Sequence, residues 1–357
     1  MEKKSKEILL KNFYKNKKIL ITGANGFKGL WLSIILNEYG SKIYGLGIKA
    51  PEYSLFNKLK LEKKIKFSFL DIRNKTKLKK YISKIKPDII FHCASQSLVT
   101  DGFKNPSKVI ETNVLGLSNL FLCTKDIKRK LIINIITSDK CYNPKNKKYV
   151  ESDSLGGVDI YSASKSCQEI LAKAYYETYL KDKKNFVITT FRAGNVVGGG
   201  DFGRNRIFTD IQNSIFNKKK LFIRNYNSTR PWQHLFDCLN AYLITTYICN
   251  KKKINFSNWN VASNNNSKSV KDVISYLIKK KFIKKKNVVF RKNFLKESKY
   301  LSLNPKKIYR ETFWRPKFNF EKMILDCISC YKDIAENNQD SVKLYNLMKN
   351  RVKRNFL

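Results

Sequence analysis

The sequence predicts an α/β chain built on a doubly wound parallel sheet, with a smaller lobe at the C-terminal side. Three observations predict it. Short apolar runs alternate with helical patterns through the first half of the chain, the signature of parallel strands joined by right-handed helical crossovers. A triplet of glycines lies between the first such run and the first helix. After about residue 195 the alternation loosens into a stretch rich in Gly, Asn, Arg and aromatics.

The elements follow in order. Residues 1–16 are a basic lead-in, helical or frayed. Lys17-Lys18-Ile19-Leu20-Ile21-Thr22-Gly23 reads as a buried strand ending at glycine. Helical periodicity then runs through Leu30, Trp31, Ile34, Ile35 and Tyr39, and Gly40 stops it. Further strands are expected at 42–46, 65–70, 88–94, 131–137 and 186–191, with a helix over 106–124 between the fourth and fifth. This gives a sheet domain over 17–194 and a lobe over 195–357, which is mostly helical with short strands and free to exchange elements with the sheet domain. Ligands of such sheets bind at the carboxyl ends of the strands, and every motif below falls there.

The bulk composition narrows the class. A chain of 357 residues with 42% hydrophobic content is long and apolar enough for a large core. The eight cysteines are scattered through apolar segments, and Cys327 and Cys330 form a lone C-x-x-C inside a helical pattern. Reduced, buried thiols and a cytoplasmic location are expected, with no metal site. The N-terminal segment has no signal-peptide core, and runs such as 131–136 are too short to span a bilayer. The net charge is +44. Lys far outnumbers Arg and is spread along the whole chain beside an excess of Asn and Ile. That pattern fits compositional bias on solvated faces better than a nucleic-acid interface, where Arg is favoured. Such a charge still attracts anionic substrates.

Gly23-Ala24-Asn25-Gly26-Phe27-Lys28-Gly29 is G-x-x-G-x-x-G at a strand-to-helix junction. Glycines there allow a tight turn and bring backbone N–H groups to a pyrophosphate at the helix N-terminus, as in dinucleotide-binding Rossmann folds. A carboxylate about 20 residues further on commonly holds the adenosine ribose of NAD. This chain has Lys49 in that region, which suits a 2′-phosphate or is a plain surface lysine, so local chemistry leaves NAD and NADP open. Asp71, after the third strand, is placed either to accept from an adenine amine or to cap the next helix. His92 reads as a core residue. Arg230-Pro231-Trp232-Gln233-His234 combines a cation, an aromatic face and an amide, a set suited to phosphate and sugar recognition.

The chemistry concentrates in Thr137-Ser138-Asp139-Lys140 and Tyr161-Ser162-Ala163-Ser164-Lys165. Tyr161 and Lys165 share one helix face. The ammonium is placed there to lower the phenol's pKa and hold a nicotinamide ribose, so that the phenolate takes a hydroxyl proton as hydride leaves. Asp139 and Lys140 add the acid and base that a reaction expelling water requires.

Together these motifs resemble the extended short-chain dehydrogenase/reductase family. Three further stretches, 26–32, 192–201 and 230–234, resemble its CDP-glucose 4,6-dehydratase branch over residues 17–320. Related dTDP-glucose dehydratases carry Asp-Glu where this chain has Asp139-Lys140, and epimerases of the fold lack the pair. The resemblance implies NAD, with NADP less favoured, held by Gly23, Asn25, Gly26, Phe27, Gly29, Asp71, Ile72, Ala94, Asn113, Tyr161 and Lys165. It implies CDP-glucose as substrate, held by Gln96, Asn195, Arg206, Arg230 and His234. It also implies a catalytic set of Ser138, Asp139, Lys140, Tyr161 and Lys165, a hydro-lyase reaction giving CDP-4-dehydro-6-deoxyglucose, and a context of deoxysugar and lipopolysaccharide O-antigen synthesis. A homodimer paired through the apolar segments 106–124 and 161–180 is expected. The competing readings are another nucleotide-sugar epimerase, dehydratase or reductase of this fold, and a non-catalytic basic RNA-binding protein.

Overall fold

The structure is a computed structural model and describes residues 3–145, 147–263, 267–291 and 301–356. Its centre is a seven-stranded parallel sheet: β1 Lys18–Thr22, β2 Lys42–Gly47, β3 Lys66–Phe69, β4 Ile89–His92, β5 Leu131–Ile136, β6 Phe186–Ala193 and β7 Phe256–Val261. The strand order is β3-β2-β1-β4-β5-β6-β7. The winding reverses between β1 and β4, where Thr22 is in register with His92, and that reversal opens the crevice at the strand ends.

Six of these strands stand where the apolar runs predict. The seventh comes from beyond residue 195 and pairs in parallel with β6, Phe256 opposite Ile188 through Val261 opposite Ala193. Its sequence, Phe-Ser-Asn-Trp-Asn-Val, mixes polar residues into a buried strand. Those polar groups are satisfied on the spot. Asn260 accepts from the Tyr142 hydroxyl at 2.6 Å, and the Trp259 indole donates to Ser257 Oγ at 2.8 Å. A hydropathy scan does not see this kind of burial.

Helices cover both faces. The N-terminal lead-in is an ordered helix, α1 (Lys3–Tyr14), tied down where the Tyr14 hydroxyl donates to the Leu243 carbonyl at 2.9 Å. Helix α2 (Phe27–Glu38) follows the glycine turn, and α3 (Lys75–Ile85) follows β3. The predicted 106–124 helix is one continuous run, α4, made of Pro106–Ile110, a π-turn at Glu111–Leu115, and Gly116–Thr124. Helix α5 (Ile160–Tyr175) carries Tyr161 and Lys165 and is capped by Asp159, whose carboxylate accepts from Ser162 N at 2.9 Å. On the other face, α6 (Leu235–Lys251) and the last two helices, α7 (Phe320–Glu336) and α8 (Ser341–Phe356), pack with α2. Leu30, Trp31, Leu239 and Trp259 fill that side, and Leu78, Leu117, Phe121 and Leu131 fill the opposite one. Each fully buried side chain of this kind is worth about 1.5–3 kcal/mol.

His92, at the end of β4, is fully buried with Nδ1 2.9 Å from Thr22 Oγ1. Burial drives its pKa from 6.5 down to about 3, with the Lys165 charge adding to the effect. Between those values the unfolded chain takes up a proton that the folded imidazole refuses, so stability falls as pH drops through the window. The limiting slope is about 1.4 kcal/mol per pH unit. Urea midpoints measured from neutral pH toward pH 4 should fall less steeply for His92→Gln than for the parent chain.

Candidate active site

The crevice above β1, β4, β5 and β6 is a cleft of about 420 Å³. Its floor at one end is the glycine turn. Gly23 has φ +68°, and a Cβ there would sit 2.8 Å from Ala94 Cα; a Cβ on Gly29 would strike the Gly23 carbonyl oxygen. Gly26 N donates to Gly23 O at 2.9 Å and sits at the N-cap of α2, with no side chain filling the cap. The open N–H groups and the helix dipole make this end an anion cradle that a dinucleotide's pyrophosphate fits. Gly23, Gly26, Phe27 and Gly29 line the cleft. Asn25 does not. Its amide donates to the Ile48 carbonyl, and the missing Cβ of Gly47 leaves room for it, so it staples the turn to β2.

Other residues expected at the cofactor are not among those that line this cleft. The Asp71 carboxylate is taken by Arg73, at 2.9 Å from the backbone N and 2.8 Å from Nη2, and this guanidinium lowers its pKa. Nor does Asp71 cap α3, because Asn74 does so by accepting from Lys77 N at 3.0 Å. Ile72 is buried beneath Gly116 of α4. Ala94 donates its N–H to Thr22 Oγ1 at 3.2 Å. Asn113, in the π-turn, is buried with its amide fully used. Oδ1 accepts from Ser95 Oγ and Gln96 N, while Nδ2 donates to the Gln96 carbonyl and Ser164 Oγ. It therefore shapes the loop after β4 rather than reaching into the cleft, and Gln96 is held there through its backbone. Lys49 is exposed at the end of β2.

The catalytic set converges. Ser138, Asp139, Lys140, Tyr161 and Lys165 all line the cleft. Ser138 opens a 3₁₀ turn, Asp139–Cys141, accepting from Lys140 N at 3.3 Å and donating to Asp139 Oδ1 at 2.9 Å. Asp139 is buried, and its Oδ2 has no partner among the described residues. Burial pushes its pKa up, against the Ser138 hydrogen bond and the charges of Lys140, Arg230 and Lys28. A carboxyl in that state is suited to donate a proton. Lys165 Nζ donates to Gln168 Oε1 at 2.9 Å and to the Ile136 carbonyl at 3.3 Å, and burial lowers its pKa to about 7. One expectation is corrected here. Burial raises the Tyr161 phenol to about 12, and the counterweight is the Ser138 hydrogen bond rather than Lys165, whose Nζ is 6.0 Å from the ring centroid.

Of the residues expected at the substrate, Asn195, Arg206 and Arg230 line the cleft. Arg206 reaches Ser97 Oγ at 3.2 Å and pairs with Asp201 at 3.3 Å. His234 does not line it. It is 1% exposed, stacked on Phe318 at 3.7 Å, with Nε2 3.0 Å from Asp326 Oδ2 and Nδ1 accepting from Phe236 N. The backbone of 233–234 pairs with Val196–Val197, and the ring is packed in the lobe's own core.

Two contributors escape the motif reading. Lys28 lines the cleft from inside the glycine motif, and a charge between glycines was the available signal. Glu169 lies four residues after Lys165 on the same helix face. Its carboxylate accepts from Thr137, from Thr190 at 2.7 Å and from Arg192 at 2.8 Å, with both charged side chains 2% exposed. Arg192 in turn donates to the Tyr142 hydroxyl at 2.9 Å. Arg192→Met strands the Glu169 charge and should cost about 3–5 kcal/mol. Adding Glu169→Met should cost less than the sum of the single changes, as read from urea unfolding of the two singles and the double.

Comparison with known proteins places this geometry. The family model described as GDP-mannose 4,6 dehydratase matches residues 20–327. The CDP-glucose 4,6-dehydratase of Salmonella typhimurium is 32% identical over 334 residues, covering 90% of this chain and 92% of that one. The UDP-glucose 4-epimerase of Mycoplasma genitalium is 22% identical over 90% of this chain and 96% of its own length. Among solved structures, the dTDP-glucose 4,6-dehydratase of Bacillus anthracis in complex with NAD superposes with a TM-score of 0.75 at 22% identity, covering 90% of this chain and 98% of that one. With a matching model over most of its length and a relative at this identity, the chain belongs to the GDP-mannose 4,6 dehydratase family.

Proposed function

We propose that this chain is a hydro-lyase that converts CDP-glucose to CDP-4-dehydro-6-deoxyglucose and water with a bound NAD. The observation that carries the reading is the juxtaposition of Asp139, Lys140, Tyr161 and Lys165 on one cleft, with Asp139 held protonatable by burial. The cytidine sugar is supported by the Salmonella relative and by Lys140 in the position where dTDP-sugar enzymes carry glutamate.

Gly23, Gly26, Phe27 and Gly29 would hold the pyrophosphate of a bound dinucleotide at the N-terminus of α2, and Tyr161 and Lys165 would hold its nicotinamide end. When bound, NAD supplies a reversible hydride acceptor that takes hydride from the sugar's fourth carbon and returns it to the sixth. Tyr161 takes the proton of the 4-hydroxyl, with Ser138 hydrogen-bonded at the same oxygen to steady the charge. The ketone at the fourth carbon acidifies the proton on the fifth; Lys140 removes it and returns a proton to the fifth carbon as hydride reaches the sixth. Asp139 gives its proton to the departing 6-hydroxyl, so water leaves. Arg230 and Arg206 are assigned to the substrate diphosphate, and Asn195 to a sugar or phosphate contact.

We further propose a cytoplasmic homodimer serving deoxysugar synthesis for cell-surface polysaccharide. The free cysteines fit a reducing compartment, and no described helix is long and apolar enough to cross a membrane. Leu115 and Leu122 on α4 and Ile170 on α5 are exposed, an apolar patch of the kind that pairs helices between subunits.

Purified protein given CDP-glucose with NAD should produce a species lighter by one water, followed by mass spectrometry. The absence of water loss from folded protein would reject CDP-glucose and redirect the test to dTDP- and GDP-sugars. Lys140→Ala should spare oxidation at the fourth carbon. It should lower dehydration by about 10²–10⁴-fold and stop solvent deuterium from entering the fifth carbon. In light scattering, the parent chain should have twice the monomer mass, and the Leu115→Glu/Ile170→Glu double variant the monomer mass.

A further inference from the structure

Gln168 is fully buried on α5, one turn after Lys165, and it does not line the cleft. Its side chain spans two groups of opposite kind. Oε1 accepts from Lys165 Nζ at 2.9 Å, and Nε2 donates to the Asn113 carbonyl at 2.8 Å. An ammonium only donates and a backbone carbonyl only accepts, so the amide has one possible orientation. A carboxylate would have no donor for Asn113, and a lysine no acceptor for Lys165. Asn113 is itself held in the π-turn of α4, where its own amide is bonded to Ser95, Gln96 and Ser164. One side chain thereby ties the Lys165 ammonium to a different element from the helix that carries it.

The second bond of Nζ, to the Ile136 carbonyl at 3.3 Å, ties it to the end of β5. Two of its three donor positions are used, and the third is left for a ligand in the cleft that Lys165 lines. Both acceptors are neutral. Glu169, four residues after Lys165, carries a carboxylate, but Thr137, Thr190 and Arg192 take it up. Neutral acceptors locate the ammonium and leave its charge uncompensated. A carboxylate in the same place would locate it and cancel that charge.

We propose that Gln168 is the positioning residue for Lys165, a neutral clamp that holds Nζ at a fixed point between α4, α5 and β5 and leaves its charge and third hydrogen bond to the bound ligand. The inference rests on the role given to Lys165 in the function proposed above.

The first readout is the protonation of Lys165 in the purified full chain. Burial, joined by the Lys28 charge, lowers Lys165 from 10.5 to about 7, against Cys93, Cys141 and Glu169. His92, the other titratable group coupled to it, is uncharged in this range. Between those two values the unfolded chain keeps a proton that the folded lysine has released, so this group makes stability rise with pH across the window. Urea midpoints should rise less in Gln168→Glu than in the parent, because a carboxylate against Nζ keeps it charged. In Gln168→Met they should rise at least as much as in the parent.

The second readout is a single turnover with CDP-glucose, following the absorbance of the NADH formed from bound NAD. Each variant breaks one end of the clamp or both, so the rate should fall by about 10–10²-fold while affinity for CDP-glucose is kept. A residue that only packs would shift all midpoints together and leave the pH slopes and this rate alone. Gln168→Glu, which keeps the shape of the parent side chain, carries both readouts if Gln168→Met does not fold. Equal slopes in folded parent and Gln168→Glu, or an unchanged rate in the folded variants, would overturn the proposal. Failure of the folded parent to reduce NAD with CDP-glucose would overturn the proposed function instead, and the slopes would still decide whether Gln168 holds Lys165.

Discussion

The buried pair of Glu169 and Arg192 is the constraint on which the site depends. It joins α5 to β6, and through Thr137 and Tyr142 it grips both sides of the turn that carries Asp139 and Lys140. Two charges taken out of water at this depth are stable only when their remaining lone pairs and protons are satisfied. Here Glu169 accepts from two threonines besides the guanidinium, and Arg192 also donates to the Glu151 carbonyl at 2.9 Å. Hydrophobic contact alone would let α5 slide against the sheet. This polar network, in which Arg192 Nε alone of the pair's buried atoms lacks a partner among the described residues, fixes the register between Tyr161 on the helix and Ser138 at the strand end.

The same device recurs around the cleft. Asn113 spends all four of its amide hydrogen-bonding positions on the loop after β4 and on Ser164. His234 fastens α6 to the C-terminal helices through Asp326, which Arg351 also holds at 2.9 Å. These residues look functional in a sequence because they are polar, and they are polar because an irregular backbone beside a ligand cleft needs side-chain partners. Their work is to position groups that touch the ligand.

Legibility in the sequence followed the physics of each part. Strands β1, β4, β5 and β6 were readable because buried parallel strands are continuous apolar runs. The glycine turn was readable because backbone sterics at Gly23 and Gly29 exclude a side chain. Tyr161 and Lys165 were readable because helical spacing maps directly onto one face. Strand β7 was not, since Asn258 and Asn260 break its apolar pattern and the Asn260 amide is satisfied only by contacts made in three dimensions. The phenol of Tyr161 was misjudged for a related reason: spacing brings a cation near, but only the fold reveals how much water is removed around both groups. Arg230 and His234, four residues apart in one motif, separate because the chain between them enters a strand and then caps a helix.

The origin of β7 has a consequence for how the molecule is made. β6 is buried along its whole length, yet one of its edges has no partner until residues 256–261 have been synthesised. A ribosome must add more than sixty residues after β6 before that edge is closed. During that interval the nascent chain presents an apolar strand with open hydrogen-bonding groups, the kind of surface that pairs with a neighbouring chain. The completed catalytic helix and turn are on show before the sheet beneath them is sealed. Chaperone demand during translation should therefore be concentrated on the stretch between these two strands.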